Sequence, residues 1–576
     1  MFKFRNNLNI RKFAWMAGAS SISFFVCLMS GEIDSIIAGN QINEQALSAV
    51  GIVVSISTLM YFISTTISGG APVLFTKKMG EYKEDEAYKV IGTSVIYSII
   101  LGIVMALLLW LFRDDLLAFF GLTDELYTYC CQYYEWFIIL AIFMPFNWLV
   151  YQLVYMDGNE KLTASSDFLQ FILNTTLSVI LCRHYGLSGI SLSTTISVFL
   201  VTCYLCIHFF TKKCSIKFKF WFSFKHVLES FKLSISLSAD YLFASITSIF
   251  ANKMVIVLFG AFYLPILNII VFATAVSQVT QSVSSAATPF ICNYHAEKNS
   301  SGVISMLKVM FVSSLIVGLI VAVILFVFSE SIPVLFGITS PELAIYSAEF
   351  LRAFAIFVVC VPLLYMITQY FLLTDRTIIA FLSLFVNLLV SPVVCLIVGS
   401  LNFGIEGLVW GYALYPLASF VVVLLIVFIL KGKAKLPYLL PEYNKQSKNI
   451  HIEVKEENVE YMQREVLDFI SKFTDEKIRM KRFILFCESM IVTIIENNKD
   501  NKKKVFSEIS IIVDDTNVTL IQKDNGLLYN QGLYDNETKL TSREIVKYYV
   551  SNKPDQKNYM KSTGFNQYSF TLNYKK

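Results

Sequence analysis

Apolar residues fill most of the chain in blocks of about 20 or more, such as Val90–Phe112, Phe137–Tyr155, Leu307–Phe328 and Leu408–Leu430. At about 1.5 Å per residue, each block is long enough as a helix to cross a hydrocarbon core of about 30 Å. The pattern predicts roughly twelve membrane helices, near 13–38, 48–74, 88–112, 130–156, 162–183, 186–211, 230–258, 261–290, 303–328, 344–373, 376–399 and 405–430. The first block has basic flanks but stays apolar too long for a typical signal peptide, so it is expected to be retained. After Leu430 the pattern changes. Residues 431–446 form a basic, Pro-containing linker, and 447–576 read as a small soluble α+β unit. There Phe483, Phe486, Cys487, Met490, Ile491, Ile494 and Ile495 share one helical face. Glu508–Val513 and Val518–Gln522 flank the turn Asp514–Asn517 as a hairpin.

The membrane part repeats. FGLTDEL at Phe120–Leu126 recurs as FGITSPEL at Phe336–Leu343, and YGLSG at Tyr185–Gly189 recurs as FGIEG at Phe403–Gly407. The offset creeps only from 216 to 218, so residues 1–220 and 221–430 are expected to form two six-helix repeats. Internal repeats around a central pathway are a common plan of secondary transporters. The expected fold is an all-α polytopic membrane protein of about twelve helices with a small cytoplasmic α+β domain.

Composition agrees: mean hydropathy is +0.60 and 16% of residues are charged, against about 25% in soluble domains. Lys and Arg fall in alternate short turns, at Lys77, Lys78, Lys83 and Lys89, at Lys161, at Lys212–Lys232, at Lys298 and at Arg376. That alternation predicts cytoplasmic termini in a multi-pass protein of the bacterial cytoplasmic membrane. The net charge of +4 is a topology signal and gives no reason to expect a nucleic-acid partner. Eleven cysteines are scattered through apolar spans. Cys130–Cys131 and the Cys203–Cys206 cluster read as small membrane residues, with His208 isolated, so neither a disulfide framework nor a metal is expected.

Several motifs carry a resemblance over about residues 10–430. They are EIDSIIAGN at Glu32–Asn40, ALSAVG at Ala46–Gly51, Pro72–Gly80 leading into GEYKEDEAYKV, TPFICNYHAEKN at Thr288–Asn299, and Asn174 followed by GLSGISLST at Gly186–Thr194. In their order and spacing this part resembles the MATE multidrug and toxin extrusion carriers. The resemblance implies antiport, in which a cation (H+ or Na+) moves inward as an amphipathic, often cationic, compound moves out. It implies no enzyme activity and a coupling site at Asp34, Asn174, Ser178 and Thr194. Many family members carry an Asp where this chain has Ser178, and its loss leaves the coupling ion open. Asn174 and Thr194 can equally serve as helix–helix hydrogen-bonding residues.

The repeat offset maps Asp34 near Lys253 and Glu135 onto Arg352. These four form either ion pairs across the outer mouth of the cleft, tight in the inward-open state and broken in the outward-open state, or independent interfacial charges. Asp240, roughly 12 Å from the cytoplasmic side, either contacts substrate or hydrates a helix end.

The tail resembles the GHKL ATPase fold of histidine kinases and anti-sigma-factor kinases through a helix bearing Glu488, two strands, Asp524–Asn525–Gly526 and a final strand near Gly564. The resemblance assigns adenine contacts to Asp524 and Gly526. Val492 stands where the fold places its magnesium-holding Asn, and no glycine-rich lid is evident, so the unit reads as degenerate. It is expected to bind ATP weakly or not at all, without a cofactor role, and to sense a signal or dock a cytoplasmic protein. Other readings are a lipid or polysaccharide flippase of the same fold, or a transporter-like sensor signalling through the tail. A monomer in contact with membrane lipids and a small-molecule substrate is expected.

Overall fold

The computed structural model describes residues 8–80, 83–122, 124–157, 159–211, 214, 216–374, 376–430, 446–473, 477–499, 504–514, 517–527, 556–562 and 565–573. Most of the linker at 431–446 and Gly564 lie outside them. The membrane part runs α1 (Leu8–Gln41), α2 (Glu44–Ser68), α3 (Gly70–Gly80), α4 (Glu84–Leu111), α5 (Arg113–Phe120), α6 (Asp124–Met156) and α7 (Glu160–Cys206). It continues with α8 (Phe224–Phe259), α9 (Leu264–Gln278), α10 (Gln281–Ala296), α11 (Ser300–Val327), α12 (Ser331–Leu335), α13 (Pro341–Phe357), α14 (Cys360–Leu373), α15 (Thr377–Phe385) and α16 (Ser391–Leu430).

Among the described residues nine helices are long and apolar enough to cross a membrane, or ten if α13 and α14, bent by 50° at their junction, form one span. Two of the nine, Lys161–Phe210 and Thr377–Leu430, run for 50 and 54 residues. Each contains a glycine with non-helical backbone, Gly186 (φ 58°, ψ −137°) and Gly404 (φ 64°, ψ −139°). These are the glycines of YGLSG and FGIEG. The FGLT and FGIT motifs match in the same way: Gly121 and Gly337 end short helices with φ of 71° and 74°. The sequence repeat is therefore a repeat of backbone conformation, at positions where only glycine avoids steric cost. Exposed faces of α4 and α11, with Ile103, Leu107, Trp110, Ile316, Val323 and Val327, carry the apolar surface that lipid covers.

The tail folds as β1 (Gln446–Glu453), α17 (Val459–Ile470), α18 (Lys477–Asn497), β2 (Phe506–Val513), β3 (Asn517–Asp524), β4 (Gln556–Ser562) and β5 (Phe565–Asn573). The sheet is antiparallel throughout in the order β1-β2-β3-β5-β4. The expected helical face is its core: Phe486, Cys487, Met490, Ile491 and Ile494 are buried against Ile509, Ile511 and Leu520.

Candidate functional site

Asp34 lies in the last quarter of α1 and is buried, 5% exposed. The side chain faces α6 and α7. Tyr133 of α6 donates its hydroxyl to Oδ2 at 2.7 Å, Thr194 donates to the same oxygen at 2.7 Å, and the Asn174 amide donates to Oδ1 at 3.1 Å. Behind them Thr194 also lies 3.0 Å from the Asn174 carbonyl oxygen, with Ser193 at 3.3 Å and Ser178 at 3.4 Å. Ser178 and Ser193 are hydrogen-bonded to each other. The four residues drawn from the resemblance thus meet in one network. Gly186 makes this geometry available, because its non-helical backbone lets the chain turn back so that Asn174 and Thr194 face one carboxylate.

The donors around Asp34 are all neutral, and among the described residues no basic side chain forms an ion pair with it. The oxygens of Asp34, Asn174, Thr194 and Ser193 are hard ligands of the kind that suit a proton or a small hard cation. Tyr133 and Ser193 were not among the sequence candidates. Tyr133 sits in the aromatic run Tyr129–Phe137, where sequence alone does not tell an inward ring from its neighbours.

The two cross-repeat ion pairs do not form in this conformation. Asp34 bonds within its own half, and Lys253 lies over the Phe119 ring at 5.4 Å. Arg352 pairs with Glu330 and donates to Ser329 at 3.1 Å, while Glu135 is exposed on α6. Asp240, on α8, lines a cleft with Gln281, Tyr365, Thr368 and Gln369, well inside the second half rather than at a helix end.

His208 is not isolated. Its Nε2 lies 2.7 Å from Asp157 and its Nδ1 3.1 Å from the Asn159 amide, and the Cys214 sulfur lies within 4.8 Å of the ligand atoms of His208 and Asp157. This buried pair ties the α6–α7 turn to the end of α7. Cys203 and Cys206 take no part in that group.

In the tail, Glu488 accepts from Gln463 of α17 at 2.7 Å. Asp524 is fully buried and its Oδ1 accepts from the Gly526 amide and the Asn566 side chain, both at 2.9 Å. The adenine-contact candidates are therefore partnered within the chain, and no described contact joins them to Glu488. Burial raises the Asp524 carboxyl from its ordinary 3.8 to about 6, partly offset by those two donors.

A MatE family profile matches residues 19–180, the segment that supplies Asp34, Tyr133, Asn174 and Ser178. Solved structures match over far more of the chain. The inward-facing conformation of a multidrug resistance MATE family transporter of the MOP superfamily superposes with a TM-score of 0.65 at 17% identity, covering 72% of this chain and 100% of that one. The fold is that of the MATE transporters. The MATE multidrug transporter DinF-BH, solved with a bound small molecule, gives a TM-score of 0.61 at 16% identity over 73% of this chain and 96% of its own. The Vibrio cholerae MATE transporter VcmN in its bent form gives 0.55 at 16% identity over 72% and 97%. No curated protein matches the chain by sequence. The shares covered correspond to the length of the membrane part, so the MATE fold here carries an added tail.

Proposed function

We propose that the chain is a cation-coupled antiporter that exports amphipathic or cationic small molecules across the cytoplasmic membrane. The observation that carries this reading is Asp34, a buried intramembrane carboxylate whose donors among the described residues are all neutral. Burying an unpaired charge is costly, so the charge on Asp34 and the wetting of its pocket are linked. A group of that kind can couple an ion gradient to a conformational equilibrium. Asn174 and Thr194 hold the carboxylate, and Tyr133 closes it from α6.

The coupling ion in this reading is the proton. Both hydroxyls donate to Oδ2 and the Asn174 amide to Oδ1, which leaves a lone pair on Oδ1 where a proton can bind without displacing a donor. Splitting the two longest helices at Gly186 and Gly404, and counting the bent pair once, is consistent with twelve crossings among the described residues, and the lysine-rich turns favour cytoplasmic termini. A phosphate-carrying flippase fits less well: Arg352 is paired with Glu330, and Lys253 lies on an aromatic ring. For the tail we infer docking rather than nucleotide turnover, because Asp524 is occupied by its own chain.

Transport in everted vesicles, with proton and sodium gradients imposed separately, tests the reading. Dye export should follow the proton gradient and vanish in Asp34→Asn, while dye binding to the purified variant persists. Export driven by sodium alone would replace the ion, and undiminished export in Asp34→Asn would remove Asp34 from the mechanism.

A further inference from the structure

The tail is seated on the membrane part through a buried polar junction. Glu508 of β2 is fully buried. It accepts from the amide of Asn9 on α1 and from the hydroxyl of Tyr294 on α10, at 2.9 Å for the latter. Lys523, opposite Glu508 in the β2–β3 ladder, pairs with Glu297 at the end of α10 at 2.7 Å, both side chains being less than a tenth exposed. Asn299 bonds Asn449 at 2.8 Å, the Ser301 amide donates to Ser447 at 2.9 Å, and Arg11 stacks on Phe506 at 4.4 Å. Charges this deeply buried with matched partners mark a specific seat.

That seat bridges the two halves, because α1 and α10 belong to different ones. The tail-side end of α1 lies on the second half: Leu8 and Phe13 pack in one cluster with Ala287, Ile291 and Phe506, and Ser21 bonds Ser282 at 2.6 Å. Its other end carries Asp34 into the first half. Just beyond, on the face far from the tail, the halves close on each other. Gly39 lies against the Phe336 carbonyl, Asn40 donates to the Leu335 carbonyl at 2.5 Å, and Glu44 accepts from the Thr339 and Ser340 amides at 2.6 and 2.7 Å.

We propose that the C-terminal sheet is a clamp that pins the tail-side end of α1 to the second half and so favours the state closed on the far face. Opening that face moves α1 with the first half, through the Asp34 network, and draws Asn9 away from Tyr294. Docking at Glu508 and Lys523 opposes this motion, and release of the tail permits it. The proposal rests on the transporter reading for its consequence but not for its test, which reads conformation rather than export.

The test uses the full-length chain, freed of native cysteines, with Ala38→Cys as reporter. Ala38 is fully buried beside the Gly39–Phe336 contact. A membrane-impermeant maleimide is applied from the face opposite the tail. Asn9→Asp sets a second carboxylate against Glu508, and Glu297→Lys sets a cation against Lys523. Each should raise the labelling rate several-fold. Adding Glu508→Gln to Asn9→Asp exchanges donor and acceptor at the junction and should return labelling to the parent rate. Parent-rate labelling in both single variants overturns the clamp. So does a double variant that labels as fast as Asn9→Asp alone. A transporter that fails to export in vesicles yet shows this labelling pattern would leave the clamp standing and sink only the export reading.

Discussion

Tyr133 shows what the chain of letters conceals at the scale of single residues. Asp34, Asn174, Ser178 and Thr194 were legible because their spacing follows a family pattern, and the structure joins all four. Tyr133 and Tyr134 are adjacent and both buried, but only the first reaches the carboxylate; the second donates to the Leu109 carbonyl. Tyr133→Phe keeps the ring and removes one hydrogen bond to a charged acceptor, a contact worth about 1.5–3 kcal/mol. Proton-driven export should slow by roughly ten-fold or more in that variant, with dye binding unchanged; parent-rate export would show that Tyr133 only packs. The mapped pairs at Lys253 and Arg352 do not form in this conformation, and there is a geometric reason. A repeat offset fixes depth, but each residue turns a helix by about 100°, so a drift of one or two residues points a side chain elsewhere.

At the scale of elements, local pattern sufficed wherever the partners are close in sequence. The β2–β3 hairpin and the buried face of α18 follow from alternation and helical period. The insertion of β5 between β3 and β4 does not, since it depends on pairing residues such as Leu520 and Phe570 across about 50 positions. Neither could sequence show that the Asp-Asn-Gly turn closes on itself, with Asp524 accepting from Gly526 and from Asn566. This element has a pH signature. A carboxyl whose folded value is raised from 3.8 to about 6 makes the fold bind protons more tightly than the unfolded chain. The contribution of this group is then fully present below pH 4 and is lost as the pH rises through 6, by about 3 kcal/mol at most. Asp524→Asn keeps an oxygen acceptor and has no charge to bury. Denaturant melts of the tail's near-ultraviolet signal should show the variant more stable than the parent at pH 7 and equal to it near pH 4. Equal stability at both values would mean that Asp524 titrates normally.

For the molecule as a whole, the far-face closure depends on an absent side chain. A Cβ at Gly39 would collide with the Phe336 carbonyl, and Gly337 opposite has φ of 74°. Gly39→Ala should therefore destabilise the closed state, and the Ala38→Cys thiol should label faster even with an intact tail; unaltered labelling would place the closure elsewhere. The tail's seat was illegible in the sequence because Asn9, Glu297 and Asn299 look like ordinary solvated helix ends until a second surface covers them. One helix, α1, has its first residues gripped by the tail and its last turns occupied by the Asp34 carboxylate. Thermodynamic reciprocity makes such a rod work in both directions: if the tail biases Asp34, occupancy of Asp34 biases the tail by the same factor. The neutral amide of Asp34→Asn favours the state in which its pocket is dry, so it should tighten the tail on its seat. Backbone hydrogen exchange in Phe506–Val513 should slow in Asp34→Asn, and unchanged exchange there would mean that the rod does not transmit. On the proposed reading the carrier also reports on its gradient, delivering the state of Asp34 to the folded surface of the tail.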